Sequence, residues 1–161
     1  MDKETLLRQF SNSYDNNGWF VATKNAIKGV TAEQAAWKPE GADNSIYELI
    51  NHLNYYNNAY LQRFKGADYE YKIADNDESF DKGEAASWDA EAARYDSIMS
   101  EWRTLLDSAD DSKLAEFVPP YNEVPWLSLI GNIIAHNAHH GGQIVLLRKL
   151  QGSWDSSGGV S

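Results

Sequence analysis

The chain contains no cysteine. That removes disulfides, thiolate metal sites and a cysteine nucleophile together. Any metal must be held by nitrogen and oxygen donors, and any thiol chemistry must draw on a thiol from outside. Basic residues are few as well, and the formal charge is −10. A surface for phosphate backbones or anionic lipids needs clustered Lys and Arg, so neither nucleic acid nor membrane is expected as a partner. No apolar run approaches the roughly 18 residues of a spanning helix. The opening MDKETLLRQF lacks the apolar core of a signal peptide, so a cytoplasmic location is expected. What the chain does have is aromatic side chains, 6 Trp and 9 Tyr, enough for aromatic packing or an aromatic-lined cleft.

A chain of 161 residues can bury a core without staples as one domain. The apolar spacing predicts four long helices. The first covers Lys3 to Lys28, with Leu6, Leu7, Phe10, Tyr14, Phe20, Val21 and Ile27 on its apolar side and Gly29 as its stop. Thr31 to Gln34 reads as a capping box opening a short helical turn before Lys38-Pro39. The second long helix is expected from Asn44-Ser45 to Phe64, the third from Ser87 to Leu106, and the last from Pro125 to Leu150. Residues 67–83 are acidic, aromatic and aperiodic, and read as a long loop, either a lid or an inert connection. Residues 1–152 form one domain in this reading, and the polar, Gly/Ser-rich residues 153–161 read as a disordered tail. Four long helices joined by modest loops predict an all-α protein, an antiparallel four-helix bundle.

The last helix, WLSLIGNIIAHNAHHGGQIVLLRKLQG, carries three of the four histidines. His136 and His140 stand four residues apart, about 40° from each other on a helix, within the stripe of Leu129, Ile133, Ile144 and Leu147. His139 falls about 60° to the other side, next to Asn132. Two imidazoles on one apolar stripe must each satisfy two ring nitrogens, and a shared cation satisfies both. His52 lies at the margin of the apolar arc of the second helix, so the working set is His52, His136 and His140. No Glu lies inside His136–His140 to act as the base of a zinc-protease motif. Gly141-Gly142 cost a helix about 2 kcal/mol against alanine, which suggests that another helix or a ligand approaches closely. Gln143 falls on the metal-facing side, where it can support a ligand, touch a substrate or bond to another helix.

Three segments, in order, resemble the DinB-like (damage-inducible) family: Thr31–Pro39, Ser45–Leu53 and His136–Ile144. The resemblance implies a four-helix bundle with one divalent metal, zinc or nickel, held by His52, His136 and His140, with His139 flanking. It also implies relatives that are bacillithiol- or mycothiol-dependent transferases and isomerases, and frequent homodimers. Three imidazoles leaving a coordination position open are characteristic of catalytic sites. The expected function is a metal-dependent S-transferase that ionises a low-molecular-weight thiol for attack on a small electrophile, with Gln143 and aromatic residues shaping the pocket. The alternatives are a metal-dependent hydrolase and a non-enzymatic metal-binding stress-response bundle.

Overall fold

The computed structural model describes residues 2–81 and 87–159, apart from the side chain of Asn122. Eight helices and a two-stranded hairpin follow along the described chain: α1 (Lys3–Tyr14), α2 (Thr23–Ala26), α3 (Ala32–Ala36), α4 (Ile46–Phe64), α5 (Glu78–Asp81), α6 (Trp88–Ser108), α7 (Asp111–Ala115), β1 (Phe117–Val118), β2 (Tyr121–Pro125) and α8 (Trp126–Leu150). None of these helices is long and apolar enough to cross a membrane. Caps set the starts. Asp2 caps α1, and Ser87 caps α6. Thr31 with Gln34, and Ser45 with Glu48, form reciprocal capping boxes that satisfy otherwise orphaned N–H groups at the starts of α3 and α4.

The four long helices close a ring of contacts, α1 against α6 and α8, and α4 against α6 and α8. Between them lies one core, in which Phe64, Trp102 and Trp126 meet with ring centroids 4.9–6.4 Å apart. Such tilted and edge-on aromatic contacts add to the gain from burial alone.

The expected helix from Lys3 to Lys28 is broken into α1 and α2. The cause is the run Asp15-Asn16-Asn17-Gly18, whose short polar side chains compete for backbone groups. The Asn17 carboxamide oxygen accepts from Ala22 N at 2.9 Å and from the Asn25 side chain at 2.9 Å, which fixes a turn where a continuous helix was expected.

Directions also differ from an all-antiparallel bundle. α1 opposes α6, since Lys3 reaches Asp107 and Tyr14 reaches Asp96. α4 opposes α8, since His52 meets His136 while Phe64 meets Trp126. But α4 and α6 run the same way, with Tyr47 on Trp88, Asn54 on Glu91 and Lys65 on Glu101. A parallel pair needs a connection long enough to return along the bundle. The long segment after Phe64, expected as a loop over 67–83, provides it. Residues 82 and 83 lie outside the described residues, but Glu78–Asp81 form α5, packed on α4.

The tail read as disordered is in contact with the bundle over residues 153–159. Arg148 donates to Ser153 O at 2.8 Å and sits 5.1 Å from the Trp154 ring, and Asn17 donates to Gly158 O at 3.1 Å. Residues 160 and 161 lie outside the described residues.

The two helix glycines have different roles. A Cβ on Gly141 would come within 2.8 Å of Thr23 Oγ1, because α2 crosses α8 there. A Cβ on Gly142 would meet nothing within 4 Å. Gly142→Ala should therefore raise stability by roughly 0.5–1 kcal/mol through helix propensity, whereas Gly141→Ala should lower it. Urea denaturation of the two variants checks this, and equal effects would contradict the close crossing of α2.

Candidate metal centre

His52 projects from α4, and His136 and His140 from α8, into one cluster whose donor atoms all lie within 4.8 Å of each other. His52 and His140 are buried, at 4% and 8% exposure, and His136 is half-buried. The Nε2 of His136 lies 2.9 Å from Nε2 of His52 and 3.0 Å from Nε2 of His140. His139 is exposed and stays outside this set.

Counting protons shows what this arrangement requires. Ser79 Oγ donates to Asn76 O at 2.5 Å, so at 2.6 Å from His52 Nδ1 it must accept. Gln143 Oε1 accepts from His140 Nδ1 at 2.6 Å. Both imidazoles are thereby held with the proton on Nδ1, leaving bare lone pairs at Nε2. Each of these faces His136 Nε2, which carries at most one proton. At least one of these two contacts at about 3 Å therefore has no proton between its nitrogens, and a lone pair there is left without a donor. A cation satisfies that lone pair and uses all three, so the residues present fit a divalent metal with nitrogen ligands. Gln143 is placed to orient His140, one of the roles considered for it from sequence.

The surroundings keep the imidazoles neutral. Burial, reinforced by the other two histidines, pushes His52 down to about 3. Burial, followed by the proximity of His140 and His139, pushes His136 down to about 4. Burial lowers His140 too, and its bond to Gln143 opposes the shift. Neutral imidazole is the metal-binding form.

Several residues at the centre carried no recognisable signal in the sequence. Phe80 stacks on His52 with ring centroids 4.1 Å apart and planes 7° from parallel. Phe80 and Ser79 belong to a stretch without periodicity, so only the fold brings them here. Asn137, between the two histidines on α8, exchanges amide hydrogen bonds with Asn57 of α4 at 3.0 and 3.1 Å. Its side chain also accepts from Tyr95 of α6 at 3.0 Å and donates to Ile133 O at 2.8 Å. Buried polar residues on an apolar arc were the available clue, since Asn51, Asn54 and Asn57 recur at three-residue spacing along α4.

A cavity of about 280 Å³ opens onto His52 and His136, lined also by Tyr56, Asn57, Tyr60, Asn76, Leu129, Asn132 and Ile133. It gives a small molecule access to the centre and carries no carboxylate among the described residues. The bundle brings three imidazoles beside an open cavity, a group that could hold a metal ion. The sequence model of the DinB superfamily matches residues 21–144, and the chain belongs to that superfamily. No curated protein matches the chain.

The histidines also tie stability to pH. Their folded values lie below the ordinary 6.5 of the unfolded chain, so the unfolded chain takes up protons first. The stability they preserve is fully present above pH 6.5 and falls as pH drops toward 4. In metal-free protein, the urea midpoint should decline more steeply over this window than in His52→Gln. Equal slopes would mean that the folded centre accepts protons readily.

Proposed function

We propose that this protein is a metal-dependent enzyme that uses His52, His136 and His140 as ligands and ionises a small external thiol for attack on an electrophile. The observation that carries the reading is the set of converging imidazole nitrogens beside an open cavity, through which a small molecule could reach a metal held by them. When bound, a divalent cation such as zinc or nickel supplies Lewis acidity that lowers the pKa of a thiol or water reaching it. The chain's own groups do the rest. Ser79 and Gln143 hold two imidazoles in the ligating tautomer, and Phe80 covers the face of His52. Tyr56 and Tyr60 line the cavity with aromatic rings against which a bound molecule would lie.

The cavity lining favours thiol transfer over hydrolysis. Hydrolysis commonly relies on a carboxylate to take the proton from water, and none lines the cavity among the described residues. A thiol ionised near neutral pH needs no such base. The absence of cysteine is consistent with a nucleophile from outside the chain.

The test combines metal analysis and turnover. Purified protein should bind one divalent ion per chain, and with a thiol panel and a generic electrophile should consume thiol only when metal is present. His136→Ala should lose both properties while retaining its helical circular dichroism. Full metal occupancy in that variant would overturn the ligand set. Full occupancy in the wild type with no thiol consumption across the panel would overturn the transferase reading and leave a metal-binding bundle.

A further inference from the structure

Eleven residues beyond His52 on α4 stands Arg63, about three turns on and about 20° round the same face. It is buried, at 7% exposure, yet no carboxylate among the described residues lies within ion-pairing distance of it. Its Nε and Nη2 donate to Tyr69 O at 3.1 and 3.0 Å, and its Nη1 donates to Tyr71 Oη at 3.3 Å. Of the five N–H groups of a guanidinium, this leaves two, one on each terminal nitrogen. Guanidinium N–H groups left over in this way form charge-assisted hydrogen bonds with a carboxylate. Three tyrosine rings enclose the cation, with centroids 4.5 Å (Tyr71), 5.5 Å (Tyr60) and 5.7 Å (Tyr121) from Cζ.

This arginine lines a cavity of about 540 Å³ bounded by residues 66–71 and by the Pro119-Pro120-Tyr121 turn. The cavity is adjacent to the one at the histidines. Tyr60 lines the first and Tyr71 the second, with their rings 6.5 Å apart. A charge in so dry a place is retained at a cost unless something pairs with it. The two bonds to Tyr69 O hold the 67–71 segment in place, but no carboxylate among the described residues pairs directly with the charge.

We infer that the Arg63 pocket binds the carboxylate of a small molecule, with an apolar or aromatic body lying along Tyr60, Tyr71 and Tyr121. As part of a substrate site this rests on the proposed function: the anchored molecule would extend about 16 Å along α4 and place its reacting end at the histidines. Asp68 and Glu70 also line the pocket. Their charge opposes a dianion more than a monoanion, which favours a single carboxylate over a phosphate.

Titration of metal-free protein, followed by amide and guanidinium signals in nuclear magnetic resonance spectra, tests this with three probes. These are 3-phenylpropionate, its neutral analogue 3-phenylpropanamide, and inorganic phosphate. The carboxylate should shift the Arg63 Nε–H and the amides of residues 66–71 and Tyr121, with an affinity about tenfold above that of the other two. Arg63→Lys keeps the charge but loses the fork and should weaken binding severalfold, and Arg63→Gln should abolish it. If Arg63→Gln fails to fold, Arg63→Lys decides, together with Tyr121→Leu, which leaves the bonds to Tyr69 intact and should also weaken binding. Equal affinity for the amide, undiminished binding in the arginine variants, or no response in folded wild type would each overturn the inference. His136→Gln should bind the carboxylate normally, so failure of the metal centre and failure of this pocket are separately visible.

Discussion

The reciprocal amide bonds between Asn57 and Asn137 are the interaction on which the rest of the centre depends. Helices packed by apolar contact alone can slide or rotate at modest cost, because hydrophobic association is non-directional. A buried carboxamide cannot, since each unpaired donor or acceptor carries a desolvation penalty of about 1–3 kcal/mol. Asn137 bonds to α4, receives Tyr95 of α6, and offers its carbonyl to Thr23 of α2 at 2.9 Å. Asn57 in turn offers its carbonyl to Trp102 at 2.9 Å. One residue thus sets the rotation of α8 against three neighbours. Because Asn137 lies next to His136 and three residues before His140, that rotation aims both imidazoles at His52. Fully satisfied polar networks of this kind specify one arrangement of a core.

The same-direction pairing of α4 and α6 has a second consequence. The chain must travel back from Phe64 to the start of α6, and that return passes the N-terminal half of α4, where His52 lies. Ser79 and Phe80 are delivered to the histidine by this return, one fixing its tautomer and the other covering its ring. The first part of the return, residues 66–71, wraps Arg63 instead. The long connection therefore supplies groups to both cavities, which explains why it is aromatic as well as acidic.

Much of this was legible beforehand because it is governed by local rules. Capping boxes at Thr31 and Ser45, the periodic apolar faces of α4, α6 and α8, and the four-residue spacing of His136 and His140 depend only on near neighbours in the chain. The resemblance to the DinB-like family added His52, and the family itself is shown by the match over residues 21–144. Local rules failed where local competition was underestimated, as at Asp15–Gly18.

The sequence by itself determined the long helices α4, α6 and α8, their inward faces, the absence of any internal thiol, and the shared face of His136 and His140. Helical periodicity of 3.6 residues and covalent composition are enough for those conclusions, and the family resemblance supplied His52. Only the tertiary structure decided the direction of α6 relative to α4, the arrival of Ser79 and Phe80 at His52, and the isolation of Arg63 among tyrosines. These depend on contacts between residues distant along the chain, made when the return segment folds back over α4. No periodicity records such contacts, because the partners come from an aperiodic stretch whose path is set by the packing of the whole bundle.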